Sequence, residues 1–497
     1  MKQNKKLMEE IPDRFWGLFR SVNRSTYIEA LLRINEEYEY SNYFLSREVC
    51  IQVLSEYFAK KRYVIWQDEL EDELDTLEPP ATRVLNWLLK TGWKAQNLKF
   101  RFAPDKRLMP ADRYLARLMM DTMLMPLEKP QESAIVSIFT PCELLQEAGI
   151  HPYNVEGFSC YLSASKAERA FLQQAENTGI SETLCSYHKT FIGAAQKKVL
   201  PKPKCIVYTN LTCDANLLTF KKLAKMYEVP IFAIDVPMQQ NEDNVQYVAD
   251  QLRKLKEFIE KCTGKKVTDE ALTERLRRSK RTLEKFAQYE KESADKYVPA
   301  DLVTPLYVGM TNNLLLGTKE EEDYVDRLLK DVKNAPAKKG KKIYWMHTIP
   351  FWSDAVKNEL CFQEKAQIVG CELSHVCEPD FDPEKPYEAM ARRMVYHALN
   401  GSAIRRIEAG IRHAKETGAD GAVWFGHWGC KHTLGAAQLA KRKFEEQGIP
   451  LLILDGDGCD RSHGGEGQTS TRLGAFLEML NTETDENTDR QEESHDE

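Results

Sequence analysis

The chain has 497 residues, 42% hydrophobic and 29% charged, a globular composition with length for about three domains at roughly 150 residues each. No apolar run reaches the roughly 18 residues of a membrane-spanning helix, and the first residues lack the apolar stretch of a signal peptide. Residues 481–497 carry eight acids and one arginine, so the rest balances at 68 acids against 68 bases and gives no electrostatic case for nucleic acid.

A cytoplasmic location is therefore expected. There, twelve cysteines argue for thiols, metal or catalysis rather than disulfides. Residues 1–132 read as a mainly helical N-terminal cap, with apolar stripes at Tyr27, Ala30, Leu31 and Ile34 and at Val84, Trp87, Leu88 and Trp93. No catalytic motif falls in it.

A first α/β lobe is expected over 133–335. Residues 134–139 read as a buried strand, followed by a loop with Cys142 and a short helix ended by Gly149. Residues 205–208 make a second strand that runs out into Thr209-Asn210-Leu211-Thr212-Cys213-Asp214. Leu218, Leu223 and Met226 mark the crossover helix to a strand at 231–234. Next, Val245, Val248, Leu252, Leu255, Phe258, Ile259 and Cys262 share one helical face, and Gly264 is the stop. Cys262 is thus read as packing. Residues 268–295 form a highly charged helix, a brace or a linker.

The small, basic, turn-rich stretch 334–340 marks a boundary, and a second α/β lobe is expected over 336–480. Its strands are predicted at 342–346, 367–369, 422–425 and 451–454, with helices at 392–399 and 404–411. Another helix carries Leu434, Ala437, Ala440 and Phe444 and ends at Gly448-Ile449-Pro450. Strand, helix, strand makes a right-handed parallel unit, and ligands in such sheets sit beyond the carboxyl ends of the strands. The expected class is α/β: two open Rossmann-like parallel-sheet lobes behind a helical cap. The acidic end, 481–497, reads as disordered.

No GxxxxGK[ST], GxGxxG after a strand, HExxH or CxxC occurs. Gly464-Gly465-Glu466-Gly467 reads either as a plain loop or as a phosphate cradle. Cys371, His375 and Cys377 have a spacing a zinc site could use. What remains is Cys213 and Cys430, each beyond a strand, and Cys185 before a helix. Helix starts and glycine turns favour thiolate over thiol, and three converging thiolates would suit a soft metal. The alternative is buried cysteines near turns.

Several segments resemble the family of 2-hydroxyacyl-CoA dehydratase and benzoyl-CoA reductase subunits. They include Pro141-Cys142-Glu143-Leu144-Leu145, Leu184-Cys185-Ser186-Tyr187, Thr212-Cys213-Asp214, Ile234-Asp235-Val236-Pro237, residues 427–431 and 448–458, and Gly467-Gln468-Thr469-Ser470-Thr471-Arg472. The resemblance covers 133–480 in the family's order. It implies one oxygen-sensitive [4Fe-4S] cluster on three cysteines, here Cys185, Cys213 and Cys430, with Cys160 the rival for the first place. Cys142 is then packing or support. It also implies a homologous second subunit, a heterodimer, and a separate ATP-hydrolysing iron–sulfur activator. The implied activity is dehydration of a 2-hydroxyacyl-CoA through a ketyl radical. Alternatives are a reductase of the benzoyl-CoA type, an electron-carrying partner subunit, and an α/β protein with structural zinc. His427 and His432 flank Cys430 and could donate to the cluster or move a proton, or be structural.

Overall fold

The computed structural model describes residues 29, 32–34, 80–375, 380–463 and 465–493; Tyr27, Ala30, Leu31 and Cys377 fall outside them. Short runs, most of them apolar, become eight strands among the described residues. They are β1 (Ser133–Val136), β2 (His151–Asn154), β3 (Cys205–Thr209), β4 (Ile231–Ile234), β5 (Lys341–Met346), β6 (Ala366–Cys371), β7 (Gly421–His427) and β8 (Leu451–Gly456). They pair in two parallel sheets, ordered β2-β1-β3-β4 and β6-β5-β7-β8. The expected α/β class with two parallel-sheet lobes is what the chain forms, and both sheets wind the same way.

The inner strands β1, β3, β5 and β7 are buried along their whole length, as strands with helices on both faces must be. Their side chains alternate between faces. Ala134 and Val136 enter one apolar cluster and Ile135 another; Ile343 and Trp345 divide from Tyr344 and Met346 in the same way. In each sheet the order reverses between the two inner strands, so their carboxyl ends flank a switch point where ligands bind.

Several expectations shift. The first strand stops at Val136, because Phe139 adopts a left-handed φ of 66° and turns the chain. β2 was not expected; it carries Pro152, which an edge strand tolerates because one row of N–H groups faces away from the ladder. Leu218 and Leu434 are exposed rather than inward. Trp93 is buried but Trp87 is exposed, and Leu89 takes the inward place.

The helix ends follow local chemistry. The Asn241 side chain caps Glu242–Thr263, which stops at Gly264 with φ 71°; Thr268 caps Asp269–Ser293. Cys262 packs, partly buried, against the first lobe's core. Helix Pro110–Glu128, read as part of the cap, buries Ala111, Leu115 and Met119 in that same core. The last helix runs Glu466–Glu493, so much of the acidic end continues a helix rather than standing unstructured. Leu473, Phe476, Leu477 and Leu480 anchor it to the second lobe. Among the described residues, no helix is long and apolar enough to cross a membrane.

Candidate metal centre

Three cysteines reach the cleft between the sheets from helix starts. Cys185 is the N-cap residue of helix Ser186–Gln196 and Cys430 that of helix Lys431–Glu445. Cys213 lies two residues before Ala215, the N-cap of helix Asn216–Tyr227. Cys213 follows β3 and Cys430 follows β7, equivalent places in the two sheets. In both loops the preceding residue is left-handed: Thr212 at φ 71° and Gly429 at φ 81°. Gly429 has a second reason to be glycine. A Cβ there would lie 2.8 Å from both Cα and N of Cys185, so the Cys430 loop sits directly on the Cys185 backbone.

Hydrogen bonds between lobes hold this arrangement. Ser186 Oγ donates to Asp457 Oδ1 at 2.6 Å, Tyr187 and Thr348 share a hydroxyl contact of 2.9 Å, and Ser163 Oγ donates to the Cys459 carbonyl at 2.7 Å. Asp457 Oδ1 also accepts the N–H groups of Cys459 and Asp460, which fixes the loop after β8.

The three thiols act on one another. Burial first, then the charges of Cys213 and Cys430, push the Cys185 thiol well up. Burial, then Glu156 and more weakly Cys430, push Cys213 up to about 12. At Cys185 and Cys213 loss of water and nearby negative charge outweigh the helix start that was expected to favour thiolate. Three cysteine sulfurs brought near one another are a donor set that a soft metal could use.

Each thiol has a histidine beside it. Cys185 Sγ is 3.2 Å from His427 Nε2. His427 Nδ1 accepts the Gly458 N–H at 3.0 Å, so the neutral ring carries its proton on Nε2 and donates to the sulfur. Burial keeps His427 neutral, its pKa lowered despite Asp457. Cys213 Sγ is 3.6 Å from His188 Nε2. The Thr219 hydroxyl donates to the Ala215 carbonyl, so it accepts from His188 Nδ1 at 3.0 Å. Burial pushes His188 down to about 3, leaving a neutral ring with a bare Nε2 toward Cys213. Cys430 Sγ is 3.9 Å from His347 Nε2. The His347 backbone, left-handed at φ 74°, donates to Glu372, which is itself paired with Arg406.

The other sequence candidates fall elsewhere. Cys160 packs against the apolar core of the second lobe, and its thiol, pushed to about 12 by burial, meets Tyr187 and Cys459 rather than the three. Cys142 is buried and donates to the Thr140 carbonyl. His432 is exposed on its helix. Cys371 donates to the His347 carbonyl while His375 turns to Glu290, so these two do not converge. At the start of the last helix, Glu466 accepts from Ser353 and from the Ala355 N–H; a carboxylate there argues against a phosphate cradle.

Sequence reasoning missed His188, His347 and Glu156. His188 stands one helical turn after Cys185, and His347 is the first residue after β5. Glu156 lies in the first turn of helix Val155–Ala164. Burial raises its carboxyl from 4.5 to about 7, and its Oε2 is buried without a hydrogen bond.

The family model of the 2-hydroxyglutaryl-CoA dehydratase D-component matches residues 137–480. That of the Wadjet protein JetA matches residues 33–95, a short stretch mostly outside the described residues. The (R)-phenyllactyl-CoA dehydratase beta subunit of Clostridium sporogenes is 25% identical over 71% of this chain and 93% of its own. The alpha subunit from that organism is 22% identical over 68% and 87%. A benzoyl-CoA reductase subunit of Thauera aromatica is 21% identical over 63% and 81%.

Proposed function

The chain belongs to the family of the 2-hydroxyglutaryl-CoA dehydratase D-component, and from that premise we propose that it is one subunit of a lyase that removes water from a 2-hydroxyacyl-CoA. The observation that carries the reading is that Cys185, Cys213 and Cys430, from both lobes, lie near enough for the charges of Cys213 and Cys430 to act on Cys185 and that of Cys430 on Cys213. A [4Fe-4S] group fits these residues: three thiol donors, helix starts behind them and a histidine beside each. Bound there, it would supply one-electron chemistry and an iron open to a substrate oxygen, since three protein ligands leave one position free.

The substrate chemistry sets what the chain must do. The proton lost lies on the β carbon, which the thioester does not acidify. One electron on the thioester carbonyl gives a ketyl radical anion, which expels the α-hydroxyl. The resulting enoxy radical has an acidified β proton; losing it and returning the electron gives the enoyl product, so the net change is loss of water. His427 donates to Cys185 and spreads its negative charge. Glu156, with a carboxyl near 7 beside Cys213, is placed to hold or accept a proton at neutral pH. Helices Val155–Ala164 and Ser186–Gln196 are tied to the second lobe through Ser163 and Ser186.

Relatives named as alpha and as beta subunits both resemble this chain, and we take it to work beside a homologous partner. It has no nucleotide motif of its own, so the strong reductant would come from a separate ATP-hydrolysing iron–sulfur activator. The test is to co-express the chain with the homologous partner and add activator, reductant and Mg-ATP. Dehydration should need ATP to start and then consume far less than one ATP per turnover. ATP use in proportion to product would move the assignment to a reductase, the activity in the name of the Thauera relative. Full activity without ATP would remove both.

A further inference from the structure

Glu290, His375 and His413 form a second cluster, separate from the three thiols. Glu290 lies on helix Asp269–Ser293, His375 follows the turn Glu372–Ser374, and His413 lies on helix Ala403–Glu416. One ligand atom of each lies within 4.8 Å of the other two. His375 Nδ1 is 3.4 Å from Glu290 Oε1, and His413 Nδ1 is 3.4 Å from Glu416 Oε2. The two imidazole rings overlap with centroids 3.6 Å apart.

Three buried polar atoms here have no hydrogen bond: Nε2 of His375, Nδ1 of His413 and the hydroxyl of Tyr344, whose ring lies 6.0 Å from that of His375. Orphaned groups of this kind are uncommon and call for an unseen water or ion. A neutral imidazole offers one lone pair to a cation. The cluster opens on a cavity of about 540 Å³, large enough to deliver water.

We propose that Glu290, His375 and His413 bind one divalent cation of the zinc class, with Glu416 in reach as a further ligand and water from the cavity completing the shell. Two imidazoles and a carboxylate are a donor set that zinc takes with a position left open, whereas calcium and magnesium prefer oxygen alone. The ligands come from a helix before the lobe boundary and from two elements of the second lobe, so an ion there would brace one to the other. The proposal stands independently of the three thiols.

The test uses the full chain, prepared without oxygen, with Co²⁺ alone as probe. One equivalent should bind with weak visible bands and without the intense near-ultraviolet band that thiolate ligands give. His375→Ala and His413→Ala should each weaken binding by more than the roughly tenfold that losing an outer partner costs, with iron content unchanged. Glu290→Gln keeps the shape of the side chain; should either alanine variant fail to fold, this one decides, and it too should bind more weakly. Failure of the folded wild-type chain to bind Co²⁺ would overturn the proposal. So would unchanged affinity in Glu290→Gln, or a thiolate band that vanishes in Cys213→Ala but not in the histidine variants.

Discussion

The two lobes share one strand order and hang a cysteine from the same place, beyond β3 in the first and β7 in the second. They differ in how that cysteine is held. In the first lobe, Thr212 takes the left-handed turn before Cys213, a conformation that costs a β-branched residue energy. In the second, Gly429 takes the same turn with the Cys185 backbone pressed against it. The surroundings of the other inner strands differ too. Beyond β1 lies Cys142, donating to a neighbouring carbonyl; beyond β5 lies His347, 3.9 Å from Cys430. A common winding order brings the thiols toward one cleft, and close contact specific to the second lobe sets the distance between lobes.

The sharpest way to break that comparison is Gly429→Ala. The left-handed backbone alone would cost about 1–2 kcal/mol for a residue with a Cβ, and the new methyl would collide with Cys185. Denaturant unfolding should shift by at least this much, and iron retained after anaerobic purification should fall to a small fraction. Wild-type iron in this variant would show that the contact does not set the spacing.

The next test addresses the polar lining. The folded-state pKa of Glu156, about 7, lies above its ordinary 4.5, so the folded chain holds this proton more tightly than the unfolded one. The stability this confers is whole below about 4.5 and is lost as the pH rises to about 7. Glu156→Gln should remove that part of the pH dependence, so unfolding curves of the two proteins at pH 5 and pH 7.5 should diverge. Parallel curves would show that Glu156 is not a buried acid of raised pKa. The smallest effect is expected from Thr212→Gly. Relief of the turn and the extra freedom of glycine in the unfolded chain oppose each other, each on the order of 1 kcal/mol. The unfolding midpoint should barely move and the iron should stay. Lost iron would mean that the Thr212 side chain, and not only its backbone, places Cys213.

Much of this fold is legible in the sequence. The runs at Ile231–Ile234 and Cys205–Thr209, closed by Asp235 and Asn210, admit little but strands, the second buried along its length and the first at the sheet edge, and Gly264 and Thr268 mark helix ends by their own chemistry. β2 was hidden by Pro152, which reads as a strand breaker until the edge position is known. The three candidate cysteines stand out in the sequence because they lie at strand and helix ends and in segments that resemble the family. Of their histidines, His427 was legible beside Cys430, whereas His188 and His347 were not, because a histidine inside a helix such as His188 reads as core. Glu156 looked like any acid in a first helical turn; only its burial makes it unusual. The acidity expected of Cys185 and Cys213 was offset for the same reason, since loss of water depends on what covers them in the fold.

The central claim is that Cys185, Cys213 and Cys430, drawn from both lobes, hold one cluster. Counting iron and acid-labile sulfide in the anaerobic protein tests it most directly, with Cys213→Ala and Cys160→Ala prepared alongside. About four of each per chain are expected in the wild type and in Cys160→Ala, as a [4Fe-4S] group requires, and most should be lost from a still-folded Cys213→Ala. Full iron and sulfide in Cys213→Ala, or their loss in Cys160→Ala alone, would contradict the assignment.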